Sequence, residues 1–425
     1  MKYIIPSIVI FISSCVPITP IGSSNDKQLV FDDRNYEVTV GMTQLFPTQT
    51  NSQSTISYPV ISNTDPGLTI QFDLMEENSS FLNARYIHCN ADWTPSNLPD
   101  LQFLRVYNEF SINDYQYSEN TIIPYVSYST RLPSPQVSGN YLLVIYRENN
   151  REDIILSRRF IVYDQKSLIS ARVLRSNIVA QRNTHQQIDF SVKYQLETTP
   201  NPLQDFEVII LQNHNWKTKI EGLQPSQIRQ DQKLLAYNLF TGENTFAGLN
   251  EFRFFDLRSI DYRGMNVAYM QKEPELINAF LGLDKSREGL AYSQLNRDLN
   301  GGYYLVNTDP TDSQLQSEYV NVHFNLEYPE IESEIYVLGS WNNWEMREKN
   351  KLYYNYGNES YQGSVLLKQG YYDYIYWAKG SNIPPYQIEG SHFETENKYE
   401  ILFYYRNPFN NYDELIGYKM LSSGN

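Results

Sequence analysis

The sequence predicts an all-β protein made of tandem antiparallel β-sandwich domains. Tyrosine is abundant, with 36 residues among 425, and aromatic and β-branched residues favour the pleated, half-buried surface of a strand. Residues 320–326 alternate strictly between apolar and polar, which is the period of a strand with one buried face. Similar short runs recur along the chain between turn residues. The length predicts about three domains, since one domain commonly has roughly 100 to 200 residues.

Charge restricts the partners of the protein. The chain carries 34 Lys and Arg against 49 Asp and Glu, a formal net charge of −15. It contains no basic run that could neutralise a row of phosphates. We therefore expect no nucleic acid among its partners.

Residues 1–15 have the features of a secretion signal. Lys2 provides a positive start, "YIIPSIVIFI" is an apolar core too short to span a bilayer, and "ISSC" ends at Cys15. This ending resembles the lipobox of bacterial lipoproteins, which implies an acylated Cys15 as the first residue of the mature chain. In such lipoproteins a following Val16, rather than Asp, favours the outer membrane. A plain cleaved signal peptide is the alternative.

The first domain is expected over residues 31–165, after a tether at 16–30 that is rich in Pro, Gly and Ser. On strand 68–74, Ile70, Phe72 and Leu74 should share one buried face. The predicted strands of this domain are apolar or alternating runs: "YEVTV" (36–40), "LTIQFDL" (68–74), "NYLLVIYRE" (140–148) and "SRRFIVYD" (157–164).

The second domain is expected over residues 166–315. Within it, residues 273–300 have Leu and Phe at helical spacing, but Gly282 and Gly289 weaken a helix, so a long irregular excursion is an equal alternative. The strands predicted for this domain are "SARVLRSNIV" (170–179), "IDFSVKY" (188–194), "DFEVIILQN" (205–213) and "NEFRFFDLRS" (250–259).

The third domain is expected over residues 316–425, as a compact antiparallel sandwich of immunoglobulin type. Val320, Val322 and Phe324 define its first buried face, and His323 falls on the opposite polar face. The later strands are predicted in "SEIYVLGSWNNW", "KLYYNY", "YQGSVLLKQGYYDYIYWA" and "KYEILFYYRNPF".

The order of "LGSWNNWE" (338–345) and "LLKQGYYDYIYW" (366–377) resembles the starch- and glycogen-binding early-set modules. In those modules sugar stacks on tryptophan, which implies Trp344, with Trp341 and Tyr372, as a glycan-binding face. The family's sugar-contacting lysine falls at Ile375 and its second platform tryptophan near Asn382. With these two contacts missing, the sequence favours a structural role, in which both tryptophans close the edge of the sandwich.

A wider set of motifs resembles the plug protein family of the type 9 secretion system of Bacteroidota. The motifs are "CNADWTPSNL", "NEFRFFDLRSIDYRG", "DLNGGYY" and "LGSWNNW…LLKQGYYDYIY", in this order over about 30–415. The resemblance implies a periplasmic protein of immunoglobulin-like domains. It also implies that the protein closes the pore of the large outer-membrane β-barrel translocon when no substrate is engaged.

Residues typical of catalysis and metal binding are dispersed. The sequence has no GxSxG, HExxH, Walker or dinucleotide-binding glycine motif. Asp256 and Asp261 have odd spacing, which on a strand sends them to opposite faces, and Asp298 with Asn300 is better explained by a turn than by a cation site. We expect no enzyme, metal or cofactor. The lone Cys89 is expected in the core, and the histidines lack ligand spacing: His88, His185, His214, His323 and His392.

Loops at the ends of the sandwiches are the expected contacts with the translocon, because such folds carry binding residues on loops. Two aromatic, Pro-containing stretches, 92–103 and 381–390, are the candidates. Their predicted partner-binding residues are Trp93, Pro95, Leu98, Phe103, Ile383, Pro385 and Tyr386. A glycan-binding envelope lipoprotein is the competing function, and an enzyme with an unfamiliar site is a third.

The lipobox generates the first testable prediction. A tagged fatty acid fed to the cells should label the wild type and not Cys15→Ser, and the variant should leave the membrane unless the translocon holds it, because acyl chains provide the anchor. Gel fluorescence of the immunoprecipitated protein measures the labelling. Equal labelling of wild type and variant would contradict an acylated Cys15.

Overall fold

The computed structural model describes residues 27–48, 57–196, 201–294, 297–309, 315–380 and 382–424. The predicted signal, Cys15 and most of the tether lie outside these residues. The all-β fold is confirmed. None of the described helices is long and apolar enough to cross a bilayer.

The first domain is a sandwich of two sheets. One has the order β1-β10-β9-β5-β6, with β3 added parallel to β10, and the other has the order β2-β4-β8-β7. The predicted inward side chains Ile70, Phe72 and Leu74 are buried between the two sheets. Its elements are β1 Arg34–Asn35, β2 Val40–Pro47, β3 Val60–Ser62, β4 Leu68–Leu74, β5 Leu82–Cys89, α1 Asp100–Phe103, β6 Phe110–Ile112, β7 Tyr115–Tyr117, β8 Val126–Leu132, β9 Gly139–Arg147 and β10 Ile154–Tyr163.

Of the strand expected at 36–40, only Val40 is in a strand, as the first residue of β2. The two-residue β1 lies just before the expected range. Val38 is fully exposed, and the Glu37 carboxylate accepts from Arg147 at 2.6 Å and also pairs with Lys27. An ion-pair network therefore fixes this entry segment. Lys27, which takes part in this network, lies inside the range expected to be tether.

The second domain contains a four-strand path β11-β12-β15-β14, with β16 paired to β12, facing the three-stranded sheet β13-β27-β28. Between the two sheets lies a core that includes Val192, Ile210 and Phe403. Its elements are β11 Ser167–Arg175, β12 His185–Tyr194, β13 Phe206–Gln212, β14 Gln227–Arg229, β15 Leu234–Tyr237, β16 Thr245–Ala247, β27 Lys398–Arg406 and β28 Asp413–Ser422, with 3₁₀ turns at Val179–Gln181, Trp216–Thr218 and Gln230–Gln232.

The third domain is built on the strand path β17-β26-β23-β24-β25-β22-β19-β18, with β20 beside β22 and β21 beside β26. As predicted, Val320, Val322, Phe324 and Leu326 are buried on one face of β22. Its elements are β17 Arg253–Asp256, β18 Val267–Lys272, β19 Ile277–Leu281, β20 Asp284–Lys285, β21 Tyr303–Tyr304, β22 Tyr319–Glu327, β23 Glu334–Leu338, β24 Lys351–Asn355, β25 Ser360–Lys368 and β26 Tyr371–Lys379, with 3₁₀ turns at Ser340–Asn342 and Glu348–Asn350.

Strand pairing crosses the boundaries expected at 315 and 316. The β27–β28 hairpin, predicted to close the third domain, pairs through β27 with β13 of the second, in register from Phe206 opposite Tyr405 to Gln212 opposite Tyr399. Strands β17 to β21, predicted for the second domain, pair within the third. The third domain is thus inserted between β16 and β27. Periodicity predicts a strand and its buried face, but it does not name the partner strand.

No helix forms in the described part of 273–300. The short strand Ile277–Leu281 pairs antiparallel with β18 and parallel with β22, and the segment beyond Lys285 is irregular. The apolar side chains that suggested a helix separate, because Phe280 is half-buried whereas Leu283 and Leu290 are exposed. The helix is therefore wrong, and the irregular alternative holds only beyond Lys285, because Ile277–Leu281 and Asp284–Lys285 are strands that neither alternative predicted.

The sheet β13-β27-β28 is covered on both faces. One face belongs to the second-domain core, and the other, with Ile209, Leu402 and Tyr404, packs on Leu142 and Val144 of β9. Such double coverage explains why β13 and β27 contain continuous apolar runs rather than alternating ones. The first and second domains consequently share a core.

A buried polar group joins the first and third domains. The Lys368 ammonium lies 2.8 Å from the Asp73 carboxylate, and both side chains are about 5% exposed or less. The Tyr319 hydroxyl donates to the same Asp73 oxygen at 2.8 Å and accepts from the backbone N–H of Met42 at 2.8 Å. Because a buried charge is costly unless it is paired and hydrogen-bonded, this arrangement fixes how the two domains meet.

Candidate functional site

The "LGSWNNWE" segment forms a tight 3₁₀ turn at Ser340–Asn342. Asn343 and Trp344 follow with φ of 55° and 57°, in the left-handed region that asparagine tolerates better than most residues. The Asn342 side chain accepts from the N–H of Gly339 and donates to the carbonyl of Val337, at 3.1 and 2.9 Å. The two asparagines therefore make the turn, which was the structural interpretation of the motif.

Neither tryptophan of the turn offers a sugar platform. Trp341 is 8% exposed and its Nε1 donates to the Asp373 carbonyl at 3.0 Å, while Trp344 is 6% exposed against Phe252. Tyr372 is fully buried, and Ile375, at the position of the missing lysine, is buried too. The face that glycan binding would need is thus inside the protein in this structure.

The "DWTPSNL" segment lies at the contact of the first and second domains. Trp93 is 4% exposed, with its ring centroid 5.0 Å from that of Trp216, and the Arg159 guanidinium lies 4.4 Å from the Trp93 centroid. Cation–π contact adds to the packing there. Trp93 also has φ of 67°, so this conformation is held by its surroundings.

The predicted partner-binding residues separate into buried and accessible ones. Trp93, Leu98 and Phe103 are buried, so they support the loop rather than face a partner. Pro95 is exposed, and the second stretch is half-buried at Ile383, Pro385 and Tyr386. The second stretch is anchored at its end, because Glu389 accepts from Arg253 at 3.0 Å and Arg287 at 2.8 Å.

The first-domain loop presents apolar side chains that sequence reasoning missed. Leu101 is 83% exposed, Val106 51% and Tyr107 70%. Buried Phe103 and Leu104 between them hold the loop on the domain core. The available signal was an apolar sequence, "LQFLRVY", directly after a Pro-rich turn.

The chemically active side chains are separate from one another. His88 is buried against Ser96 at 2.7 Å, and burial lowers the pKa of His88 to about 4. Burial also raises the pKa of the Cys89 thiol to about 12, which makes it unreactive. Asp256 pairs with Arg258, and Asp261 pairs with Lys272. Within the described ranges, no group of three His, Cys, Asp or Glu side chains is placed to hold a metal ion.

The other histidines have separate partners or ring contacts. His214 bonds to Glu400 at 2.8 Å, His323 to Asn278 at 2.8 Å, His185 to Thr184 at 2.8 Å, and His392 lies 5.8 Å from the Tyr292 ring.

Three buried carboxyl groups meet near the "DLNGG" turn. Asp298 accepts from the N–H groups of Phe252 and Asn300, and Asp373 accepts from those of Leu299 and Gly301. Glu251 is buried beside Asp298. Burial, and then the charge of Asp298, raises the pKa of Asp373 to about 8; burial also raises the pKa of Asp298. At neutral pH the cluster therefore retains protons.

A cleft lies where all three domains meet, and charged residues contribute to its walls. Its volume is about 140 Å³, and Tyr58, Arg158, Trp216, Tyr303 and Trp344 contribute to its walls. Arg159 on its wall pairs with Asp32 at 3.1 Å. The sequence signal for this cleft is an Arg-Arg pair inside the apolar strand "SRRFIVY".

The fold and these surfaces define a multidomain β-sandwich protein whose distinctive motifs hold domains together. Residues 40–164 match the family model described as type 9 secretion system plug protein 1st domain. The first domain of the chain therefore matches the family that the order of the motifs resembles. This match supports a role in type 9 secretion and a location in the cell envelope.

The fold as a whole is also similar to a solved structure. The crystal structure of a hypothetical protein from Parabacteroides merdae ATCC 43184 has 28% sequence identity and a TM-score of 0.86, over 93% of this chain and 100% of that one. No curated protein matches. The similarity covers all three domains, so their arrangement is not specific to this sequence.

Removal of the Trp344 ring tests the structural role of the turn. Trp344→Ala should lower the free energy of unfolding by roughly 3 to 5 kcal/mol, because it leaves a large cavity in a buried site. Urea denaturation measures the loss, and Tyr353→Ala, at a 52% exposed residue, is the control with little expected effect. Titration of the wild type with maltoheptaose should give no saturable heat. Saturable binding that disappears in Trp344→Ala would contradict the structural role.

The buried carboxyl cluster generates a pH prediction. Since the folded state holds the Asp373 proton up to a pKa of about 8 while the unfolded state releases it near its ordinary value of 3.8, stability should fall as pH rises between these values. The change is on the order of a few kcal/mol, at about 1.4 kcal/mol per pKa unit. Asp373→Asn keeps an acceptor for Leu299 and Gly301 and should flatten the profile.

Thermal unfolding between pH 5 and 8.5 measures this dependence. Asp261→Asn, at an exposed surface pair, is the matched control and should keep the wild-type slope. The groups that face Asp373, namely Glu251, Asp298 and Tyr371, remain in both variants, so the difference reports the titration of Asp373 together with its charge coupling to these groups. Parallel profiles for wild type and Asp373→Asn would refute the prediction.

Proposed function

We propose that the protein is a periplasmic plug that binds and seals the pore of the type 9 outer-membrane β-barrel translocon when no substrate is engaged. The observation that carries the proposal is the match of residues 40–164 to the plug protein first domain. A barrel wide enough for folded substrates leaves an aqueous hole unless something fills it. The role requires bulk and a complementary surface, and it requires no catalysis.

The way the domains are joined supports this role. The first and second domains share an apolar core around Trp93 and Trp216, and the first and third share the Asp73–Lys368 pair. A plug must resist deformation by the substrate chain or by osmotic flow, which loosely tethered domains would not do. Shared cores and buried polar links give one resistant body.

The exposed part of the first-domain loop is the contact surface that we propose for the translocon. Leu101, Val106 and Tyr107 are exposed apolar side chains on a loop fixed by buried Phe103. A fixed loop binds with a smaller ordering cost than a mobile one. Pro95 and the half-buried Ile383, Pro385 and Tyr386 remain candidates for additional contacts.

We further propose that acylated Cys15 tethers the protein to the outer membrane from the periplasmic side. The lipobox supports this part of the proposal. Several acyl chains anchor stably where one binds only marginally. A tether would keep the released plug close to its barrel while substrate occupies the pore, so that resealing depends on a high local concentration.

Two measurements test the plug role. Deletion of the gene should increase outer-membrane permeability to vancomycin, and the protein should co-purify with the translocon that lacks substrate. Leu101→Asp combined with Tyr107→Asp should weaken co-purification at least tenfold while thermal stability stays unchanged. Phe240→Asp, at a 79% exposed residue of the second domain, is the matched control and should co-purify normally.

The outcomes separate the parts of the proposal. If the empty barrel purifies without this protein and deletion leaves permeability unchanged, the plug role is wrong. If the deletion increases permeability but the loop variant still co-purifies, the role stands and the contact lies elsewhere on the surface.

A further inference from the structure

A small polar cavity lies between the first and third domains, next to the cleft where the three domains meet. Thr43 and Arg158 of the first domain line it, with Glu345, Arg347 and Lys349 of the third. Its volume is about 40 Å³, whereas a single water needs roughly 10 to 15 Å³ on such a measure. The cavity therefore has room for a group of a few heavy atoms.

Arg158 enters this cavity as a buried cation without a direct ion pair. Its side chain is 7% exposed and donates to the Asn35 side-chain oxygen at 2.6 Å and to the carbonyls of Ser157 and Arg34 at 2.8 and 3.2 Å. These acceptors are neutral and leave two of the five guanidinium donors. Among the described residues, no carboxylate lies within ion-pair distance of Arg158.

Further positive charge surrounds the same space. Arg347 pairs with Glu345 at 2.5 Å, which leaves Lys349 and Arg158 without a carboxylate of their own in the described chain. Lys349 lines the cavity and is itself exposed to solvent. Three cations thus share one carboxylate at this wall, in a protein with a net charge of −15.

Thr43, one of the residues that line the cavity, has a hydroxyl without a partner in the described part of the chain. The Thr43 side-chain oxygen is buried and makes no hydrogen bond to the described residues, although its residue lines the cavity. A buried polar atom without a partner costs free energy. A ligand with acceptor oxygens would satisfy Thr43 and the spare donors of Arg158 together.

We propose that this cavity binds an oxyanion, a phosphate or carboxylate group, between the first and third domains. Guanidinium, ammonium and hydroxyl donors match such a group, because guanidinium binds paired oxygens in a fork and ammonium adds a point charge. The bound group neutralises Arg158 and bridges residues from both domains. It would strengthen the domain contact wherever the anion is present.

Isothermal titration with sodium phosphate tests the proposal, on full-length protein dialysed into a chloride buffer. Wild type should bind saturably and show a higher thermal midpoint with phosphate. Lys349→Met and Thr43→Val should each weaken binding, Lys349→Met at least tenfold. Lys379→Met, at an exposed lysine paired with Glu334 on the same domain, should bind as wild type does. Arg158→Met should weaken phosphate binding the most. If Arg158→Met does not fold, Lys349→Met and Thr43→Val still test the proposal.

A second arm identifies the source of the oxyanion. A blocked tetraglutamate peptide is titrated in parallel with phosphate. Binding of phosphate alone identifies a free anion as the ligand, and binding of the peptide, lost in Lys349→Met, identifies an acidic segment of a protein. Absence of saturable heat from both ligands up to 10 mM, on the order of a very weak site, or unchanged affinity in Lys349→Met, would overturn the proposal.

Discussion

The arrangement of the whole molecule depends on one constraint, which is that the sheet β13-β27-β28 is apolar on both faces. One face closes the second-domain sandwich, so the other must be covered from outside, and β9 of the first domain covers it. Burial of apolar area at about 25 cal/mol per Å² makes an uncovered face of this kind costly. Once the first and second domains are fixed in this way, the inserted third domain meets the first at Asp73 and Lys368, and the clefts between the domains follow.

Strands were predictable from the sequence where one face is buried and the other is exposed to solvent. The alternation at 320–326 and the inward triplet Ile70, Phe72 and Leu74 carry that pattern, and both are as predicted. The fold class follows from many such segments. The pairing of β13 with β27 was not predictable, because nearly 200 residues separate Phe206 from Tyr405. An apolar run such as "YEILFYY" indicates that both faces of the strand are buried, but it does not identify the strands that cover them.

The candidate site shows the same limit of prediction from sequence, here for functional residues. Trp93, Trp341 and Trp344 made their motifs conspicuous, and all three are buried at or beside contacts between domains. The accessible residues Leu101 and Tyr107 have no distinctive motif, because exposure is decided by what the surrounding chain covers. The family resemblance was recoverable because it depended on the order of several motifs along the chain and not on any one of them. The cavity around Arg158 was not, because its walls come from three separate segments of the sequence.

The insertion of the third domain sets an order on folding. Strands β11 to β16 leave the ribosome long before β27 and β28. Until residues 398–422 arrive, the second sandwich has only β13 of its three-stranded sheet. Loop closure over such a separation is slow, so the half-built sandwich exposes Val192, Ile210 and their neighbours in the meantime. The C-terminal hairpin therefore acts as the closing step, and a stop codon just before it would strip the covering sheet from the first domain, more than 200 residues upstream.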